Sequence, residues 1–296
     1  MIDRICISIN NKCNLNCAYC HFHEKGNIKD VPMDVPEILQ NIKEYANHPF
    51  KIGFVGNGEP FLDLPLLKKY LCILEDNPLI QTYTITNGTI PLSEADIMFF
   101  ENHHVNVGFS LDGYQELHDK NRCNSFQQVM DNIQKYREVT GHYPTFNATV
   151  GGESLLNHRE VISFFRPFGT RVTFSRMIGR YGIGLKEYND FLEEAERYLP
   201  VRRGGLDCTM YGGQCGAGTN NYFLPTAKCI TAEIVLIFRL WQTAPYPFLN
   251  WKKSPCPLIA VDAIRSRYED RIIWATGGRK NNHLESNRFC FDIFRK

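Results

Sequence analysis

From residue 4 to about residue 198, short β-type runs alternate with amphipathic helical runs, and no other feature limits the fold so sharply. The β-type runs fall at 4–9, 51–55, 82–86, 105–110, 145–150 and 171–176. Helical patterns follow at 34–47, 64–76, 93–102, 126–139, 158–166 and 186–198. Ile38, Ile42 and Tyr45 keep helix spacing, as do Val129, Ile133 and Tyr136. Strict alternation implies an α/β protein with a parallel sheet and right-handed crossovers. Six units fall short of the eight that close a full barrel, so an open, curved six-unit barrel and a flat doubly wound sheet both fit the pattern.

Polar motifs stand where such a sheet would do chemistry. KCNLNCAYC follows the first β-type run, GNGEP the second, TNG ends the third and SLDG ends the fourth. Ligands of parallel α/β folds bind beyond the carboxyl ends of the strands, so the four motifs would converge on one site.

A formal net charge of +1 gives no sign of a polyanionic partner, and nucleic-acid binding is not expected. Uninterrupted apolar stretches fall short of a membrane span, and MIDRICISIN carries early charges and too short an apolar run for a secretory signal. A soluble, cytoplasmic protein is expected. In that compartment eleven cysteines point to metal or redox chemistry rather than to disulfides. Cys13, Cys17 and Cys20 form one group and Cys208, Cys215 and Cys229 a second. The isolated Cys6, Cys72, Cys123, Cys256 and Cys290 read as small buried hydrophobes.

The spacing C-x3-C-x2-C lets one loop wrap a cubane iron–sulfur cluster, with Asn14 and Asn16 able to hydrogen-bond its sulfurs. Three thiolates leave one of four irons without a protein ligand, free for a chelating small molecule. The competing reading is a zinc knuckle completed by His21 or His23, although zinc sites favour paired C-x2-C units.

C-x3-C-x-aromatic-C after a first strand, with Tyr19 as the aromatic, resembles the signature of the radical S-adenosylmethionine superfamily. GFVGNGEP resembles its glycine-rich motif, in which Gly56, Asn57, Gly58 and Glu59 would hold the methionine amino group. TITNGT resembles the third-strand motif, with Asn87 facing the ribose. FSLDGYQELHDKNR resembles the SLDG-x4-HD-x2-R block of peptide- and protein-modifying members. There Ser110 and Asp112 would face the ribose or methionine and Arg122 the carboxylate, with a surface salt bridge the alternative for Arg122. His118 and Asp119 read as orienting residues. The resemblance implies a partial (β/α)6 barrel over residues 1–200, a [4Fe–4S] cluster on Cys13, Cys17 and Cys20, and S-adenosylmethionine as cofactor. It also implies cleavage of that cofactor to a 5′-deoxyadenosyl radical, and an electron donor of flavodoxin or ferredoxin type.

After residue 200 the pattern changes. Gly-rich sequence surrounds Cys208 and Cys215, resembling the start of an auxiliary-cluster region of SPASM or twitch type over 201–296. Cys229 falls near a third ligand position, but the residue five before it is Leu224 where the family has Gly, and the later C-x2-C group is missing. Read one base out of frame, codons permitted from Leu224 onward allow TDGKVYYCGNC, which is similar to the family's DGxVYxC. A one-base deletion near the Phe223 codon would therefore explain why the pattern dissolves after about residue 223. The expected activity is maturation of a peptide or protein, as in ribosomally made peptides or sulfatases. A small-molecule or nucleoside radical enzyme and an inactive electron-transfer protein are the alternatives. With the first strand beginning at residue 4, substrate recognition is expected from the barrel mouth, the C-terminal region or a separate protein.

Overall fold

A computed structural model describes residues 4–20, 35–56, 58–177, 179–204 and 221–224. Among these residues the order is β1 (Arg4–Ile7), α1 (Val35–Tyr45), β2 (Phe50–Phe54), α2 (Leu64–Leu74), β3 (Ile80–Thr86), α3 (Glu94–Asn102) and β4 (Asn106–Ser110). It continues with α4 (Gln115–Asn121), α5 (Phe126–Thr140), β5 (Thr145–Val150), α6 (Gly152–Leu156), α7 (His158–Phe165) and β6 (Val172–Arg176). Last come α8 (Leu185–Ala195), β7 (Val201–Gly204) and β8 (Asn221–Leu224).

The strands form one sheet in the order β7-β6-β5-β4-β3-β2-β1-β8, and each pairing is parallel. From β1 to β6 the order never reverses. A doubly wound sheet must reverse at its switch point, so the chain is singly wound, as a partial (β/α)6 barrel requires. Two strands extend the six expected units. β7 adds beyond β6, and β8, next in sequence, pairs with β1 at the opposite edge, with Arg4 beside Asn221 and Ile7 beside Leu224.

Alternation along the strands separates two faces. Ile5, Ile7, Ile52, Phe54, Val107, Phe109, Phe146, Val172 and Phe174 are buried in the apolar core with the helices. The longer helices supply stripes at 3.6-residue spacing, such as Leu67, Leu71 and Leu74 from α2 or Val129, Ile133 and Tyr136 from α5. Burying each such side chain contributes about 1.5–3 kcal/mol. On the other face Lys51, Tyr83, Asn106, Asn147 and Thr173 line a cavity of about 160 Å³. Gly53 makes room there, because a Cβ would come within 2.3 Å of the Tyr83 ring. Tyr83 Oη in turn lies 3.3 Å from Cys6 Sγ.

Helix ends follow local chemistry. Ser93 and Asp96 close a capping box at the start of α3, and Gly141, at φ 81°, ends α5 in the left-handed conformation. The expectation that isolated cysteines are buried fails at Cys72 and Cys123, which are exposed. Cys72 lies off the Leu67–Leu71–Leu74 stripe, and Cys123 sits in the α4–α5 turn at φ 59°. Cys6 is half-buried, while Cys256 and Cys290 lie outside the described residues.

Candidate functional site

The cysteine loop leaves β1 and is sewn to the turn after β2. Asn10 Nδ2 donates to the Glu59 carbonyl at 3.0 Å, and Glu59 N–H donates to the Lys12 carbonyl at 2.7 Å. The approach is so close that a Cβ at Gly58, where φ is 71°, would lie 2.3 Å from the Lys12 oxygen. Glycine is therefore required. Farther along, Asn87 Nδ2 donates to Asn14 Oδ1, Asn14 Nδ2 to Thr89 Oγ1, and the Thr89 hydroxyl to Asn87 Oδ1, each at 2.8 Å. This closed ring ties the loop to the TNG turn. It leaves Asn87 Nδ2 4.0 Å from Cys13 Sγ. Behind the turn, Asn132 donates to the carbonyls of Gly88 and Ile90 at 2.8 and 3.1 Å.

Glu59 is 2% exposed. Its Oε1 accepts from Phe61 N–H at 2.9 Å and the Thr86 hydroxyl at 2.7 Å, and Oε2 accepts from Asn87 N–H at 2.6 Å. Burial nevertheless pushes its carboxyl up to about 6 from 4.5, the three hydrogen bonds pulling the other way. The side chain thus holds the turns after β2 and β3 together.

Asp112, just past β4, organises the other half of the site. Oδ2 accepts from the Tyr19 hydroxyl at 2.8 Å and Asn121 Nδ2 at 3.3 Å, and Oδ1 from Thr149 N–H at 3.1 Å. Arg122 Nε lies 3.1 Å from Oδ2, in ion-pair contact but out of line for a hydrogen bond. The pair is buried, which removes the surface salt bridge as a reading of Arg122. Burial works against the guanidinium charge, but Asp112 together with the neighbouring Tyr19 and Cys17 keeps Arg122 protonated. The guanidinium also lies over the Tyr19 ring, 5.5 Å from its centroid.

His118 fixes this arrangement from below. Its Nδ1 accepts from Asp112 N–H at 3.4 Å, so Nε2 carries the proton and donates to Ser125 Oγ at 3.0 Å. The Ser125 hydroxyl donates in turn to the Arg122 carbonyl at 2.6 Å. Burial lowers His118 to about 4. Asp119 caps α5 by accepting from Phe126 N–H at 2.8 Å. Both residues orient the loop, as their reading requires.

Cys13, Cys17 and Cys20 are half-buried on this loop. Ala18 N–H is anchored to the Asn121 carbonyl at 2.9 Å. Burial pushes the Cys17 thiol up to about 12, against the pull of Arg122, and also raises Cys13. Coordinated iron would deprotonate such thiols outright. Three thiols on one loop, with an amide and a guanidinium beside them, suit a cubane cluster that keeps one iron open.

The family model of the radical SAM superfamily matches residues 7–165. The chain belongs to the radical SAM superfamily. It is therefore a radical SAM enzyme whose cofactors are a [4Fe–4S] cluster and S-adenosylmethionine. Over 141 residues it is 37% identical to the serine-type anaerobic sulfatase-maturating enzyme of Bacteroides thetaiotaomicron, covering 41% of this chain and 33% of that enzyme. Over 144 residues it is 31% identical to the GTP 3′,8-cyclase of Clostridium perfringens, covering 46% of this chain and 43% of that one. The chain thus spans a third to less than half of these relatives. Among solved structures, Streptococcus suis SuiB bound to S-adenosylmethionine matches with a TM-score of 0.62 at 17% identity, over 82% of this chain and 66% of that one. Native anSMEcpe with bound AdoMet and Cp18Cys peptide matches at 0.58 and 21%, over 71% and 65%. Both share the fold, a radical SAM half-barrel.

Tyr19, Gly56, Gly58, Glu59, Asn87, Asp112 and Arg122 belong to turns or side-chain networks around the cysteine loop, and Ser110 is buried at the end of β4. Asn57, Cys208, Cys215, Cys229 and everything after Leu224, including the proposed change of frame, lie outside the described residues. Asn14, Thr86, Thr89, Asn121, Ser125, Asn132 and Thr149 were not anticipated as a network. One signal was available: Asn132 is a polar residue inside the apolar stripe of α5. Among the described residues no helix is long and apolar enough to cross a membrane.

Proposed function

We propose that this radical SAM enzyme acts on a peptide or protein in the cytoplasm, taking a hydrogen atom from a residue held at the barrel mouth. The observation that carries this reading is the SLDG-x4-HD-x2-R block, assembled around Asp112, Arg122 and His118 directly against the cysteine loop. The similarity to a sulfatase-maturating enzyme supports it. Cys13, Cys17 and Cys20 would hold the cluster. Gly56, Asn57 and Gly58 would offer backbone to the methionine end of the cofactor, with Asn87 and Ser110 toward the ribose. Glu59 would face the methionine amino group, and its hydrogen bonds to neighbouring turns also position Asn87 and the glycine turn. Asp112 aligns Arg122 and Tyr19 at the loop. When bound, the cluster and S-adenosylmethionine supply a 5′-deoxyadenosyl radical under reduction. The protein's part is to orient substrate and keep water away. Residues 1–200 form the barrel unit in this reading and 201–296 an auxiliary-cluster region whose ligands would include Cys208, Cys215 and Cys229. A flavodoxin or ferredoxin would deliver the electron.

The resemblance to GTP 3′,8-cyclase favours a nucleotide as the second reading. The two separate in one experiment. Anaerobically reconstituted protein is given S-adenosylmethionine, a reductant, and either deuterated Ser- and Cys-containing peptides or deuterated GTP. Deuterium appearing in 5′-deoxyadenosine from peptide alone supports the proposal, and deuterium from GTP alone overturns it.

A further inference from the structure

We propose that Cys72, Glu75 and His103 form a zinc site that clamps the C-terminal ends of α2 and α3. Among the described residues they are the group of three whose ligand atoms, Sγ, a carboxylate oxygen and a ring nitrogen, all lie within 4.8 Å of one another. A tetrahedral zinc with bonds of about 2.0–2.3 Å needs ligand separations of roughly 3.3–3.8 Å. Glu75 Oε1 and His103 Nε2, at 3.5 Å, already meet this. Cys72 and Glu75 are exposed, so their side chains are free to close the remainder by rotation.

The imidazole is prepared for a metal. His103 Nδ1 lies 2.8 Å from the Phe99 carbonyl, a contact only its N–H form can make, so the lone pair of the neutral ring sits on Nε2. The Phe99 ring stacks on the imidazole at 3.9 Å between centroids, fixing its plane. That Nε2 faces Glu75 and Cys72. The helices contribute as well. Glu75 is the C-cap of α2 and His103 the C-cap of α3, so two negative dipole ends converge on the same point.

One sulfur, one nitrogen and one oxygen donor suit zinc better than calcium or magnesium, which take oxygen. With three protein ligands and two of them exposed, water completes the fourth position and the metal exchanges with solvent. Helices of a βα unit run against their strands, so their C-termini lie at the end of the sheet opposite the cysteine loop. The site therefore stands apart from the iron–sulfur centre and serves stability rather than radical chemistry.

The test uses full-length, cluster-reconstituted protein titrated with zinc alone. Bound zinc, retained iron and the unfolding temperature are measured for wild type, Cys72→Ser and His103→Gln. Wild type should retain about one zinc more than either substituted protein, whose affinities should each be at least tenfold weaker. Zinc should raise the unfolding temperature of wild type only, and iron content should be equal in all three. Cadmium substituted for zinc should give a cadmium-113 NMR resonance in the range of mixed sulfur and nitrogen ligation, absent from both substituted proteins. If both of these bind zinc as wild type does, the metal sits elsewhere and the proposal is wrong. If wild type takes up none at micromolar free zinc, Glu75 and His103 form only an ion pair, and it is equally wrong.

Discussion

Glu59 and Asp112 are both buried carboxylates just past the C-terminal ends of parallel strands, yet they are kept in place by different means. Glu59 receives two backbone N–H groups and one hydroxyl, with Arg122 only a minor influence, and burial still raises it to about 6. Asp112 receives two side-chain donors and one backbone N–H, and also faces the full charge of Arg122 at 3.1 Å. Neutral donors alone do not offset the loss of water around a carboxylate. Asp112 has a buried cation beside it as well, and each partner of that pair depends on the other. Glu59 can therefore respond to pH, while Asp112 and Arg122 anchor the loop that carries Cys17.

Breaking the anchor should have the largest effect on stability. Arg122→Met leaves Asp112 buried without its cation and should cost about 3–5 kcal/mol in anaerobic denaturant unfolding. Adding Asp112→Asn should recover part of that loss. A cost below about 1 kcal/mol, the range of exposed pairs, would show that the pair is not desolvated.

His118 sharpens the contrast through pH. Its folded value, about 4, lies below the ordinary 6.5, so its contribution is present above pH 6.5 and lost as pH falls through 4. The stability of wild type relative to His118→Gln should drop by about 3 kcal/mol across that window. Glu59 runs the other way. Its folded value lies above 4.5, so its contribution is present below pH 4.5 and lost as pH rises through about 6. Wild type relative to Glu59→Gln should lose about 2 kcal/mol over that interval. Unfolding free energies measured against pH for the three proteins check both signs. Parallel curves would show that neither group is buried as described.

Much of the barrel was legible because core-facing periodicity is local. The six expected strands and their helices appear within about two residues of the expected bounds at most of their ends. What escaped notice lacks such a period. In α4, QELHDKN buries only Leu117 and His118, so no apolar stripe announces it. β7 and β8 have four residues each and exist as strands because β6 and β1 offer edges. The motifs marked the right turns, but the roles within them also depended on contacts distant in sequence, such as Asn87 to Glu59, 28 residues apart, and Tyr19 to Asp112, 93 apart. Glu59, expected at the methionine amino group, also braces the turns after β2 and β3, through partners that the motif alone does not reveal. Cys72 looked buried because an isolated cysteine usually is, while its place off the helix stripe exposes it.

In the proposed function the loop at Cys13, Cys17 and Cys20 holds the cluster at which S-adenosylmethionine is cleaved. The most direct measurement of this is iron content and 5′-deoxyadenosine formation in anaerobically reconstituted protein, with the three cysteines intact or all replaced by alanine. The account predicts about four irons attributable to this site and reductant-dependent 5′-deoxyadenosine in the intact protein, both lost in the triple variant. Full iron content together with undiminished 5′-deoxyadenosine in the triple variant would contradict it.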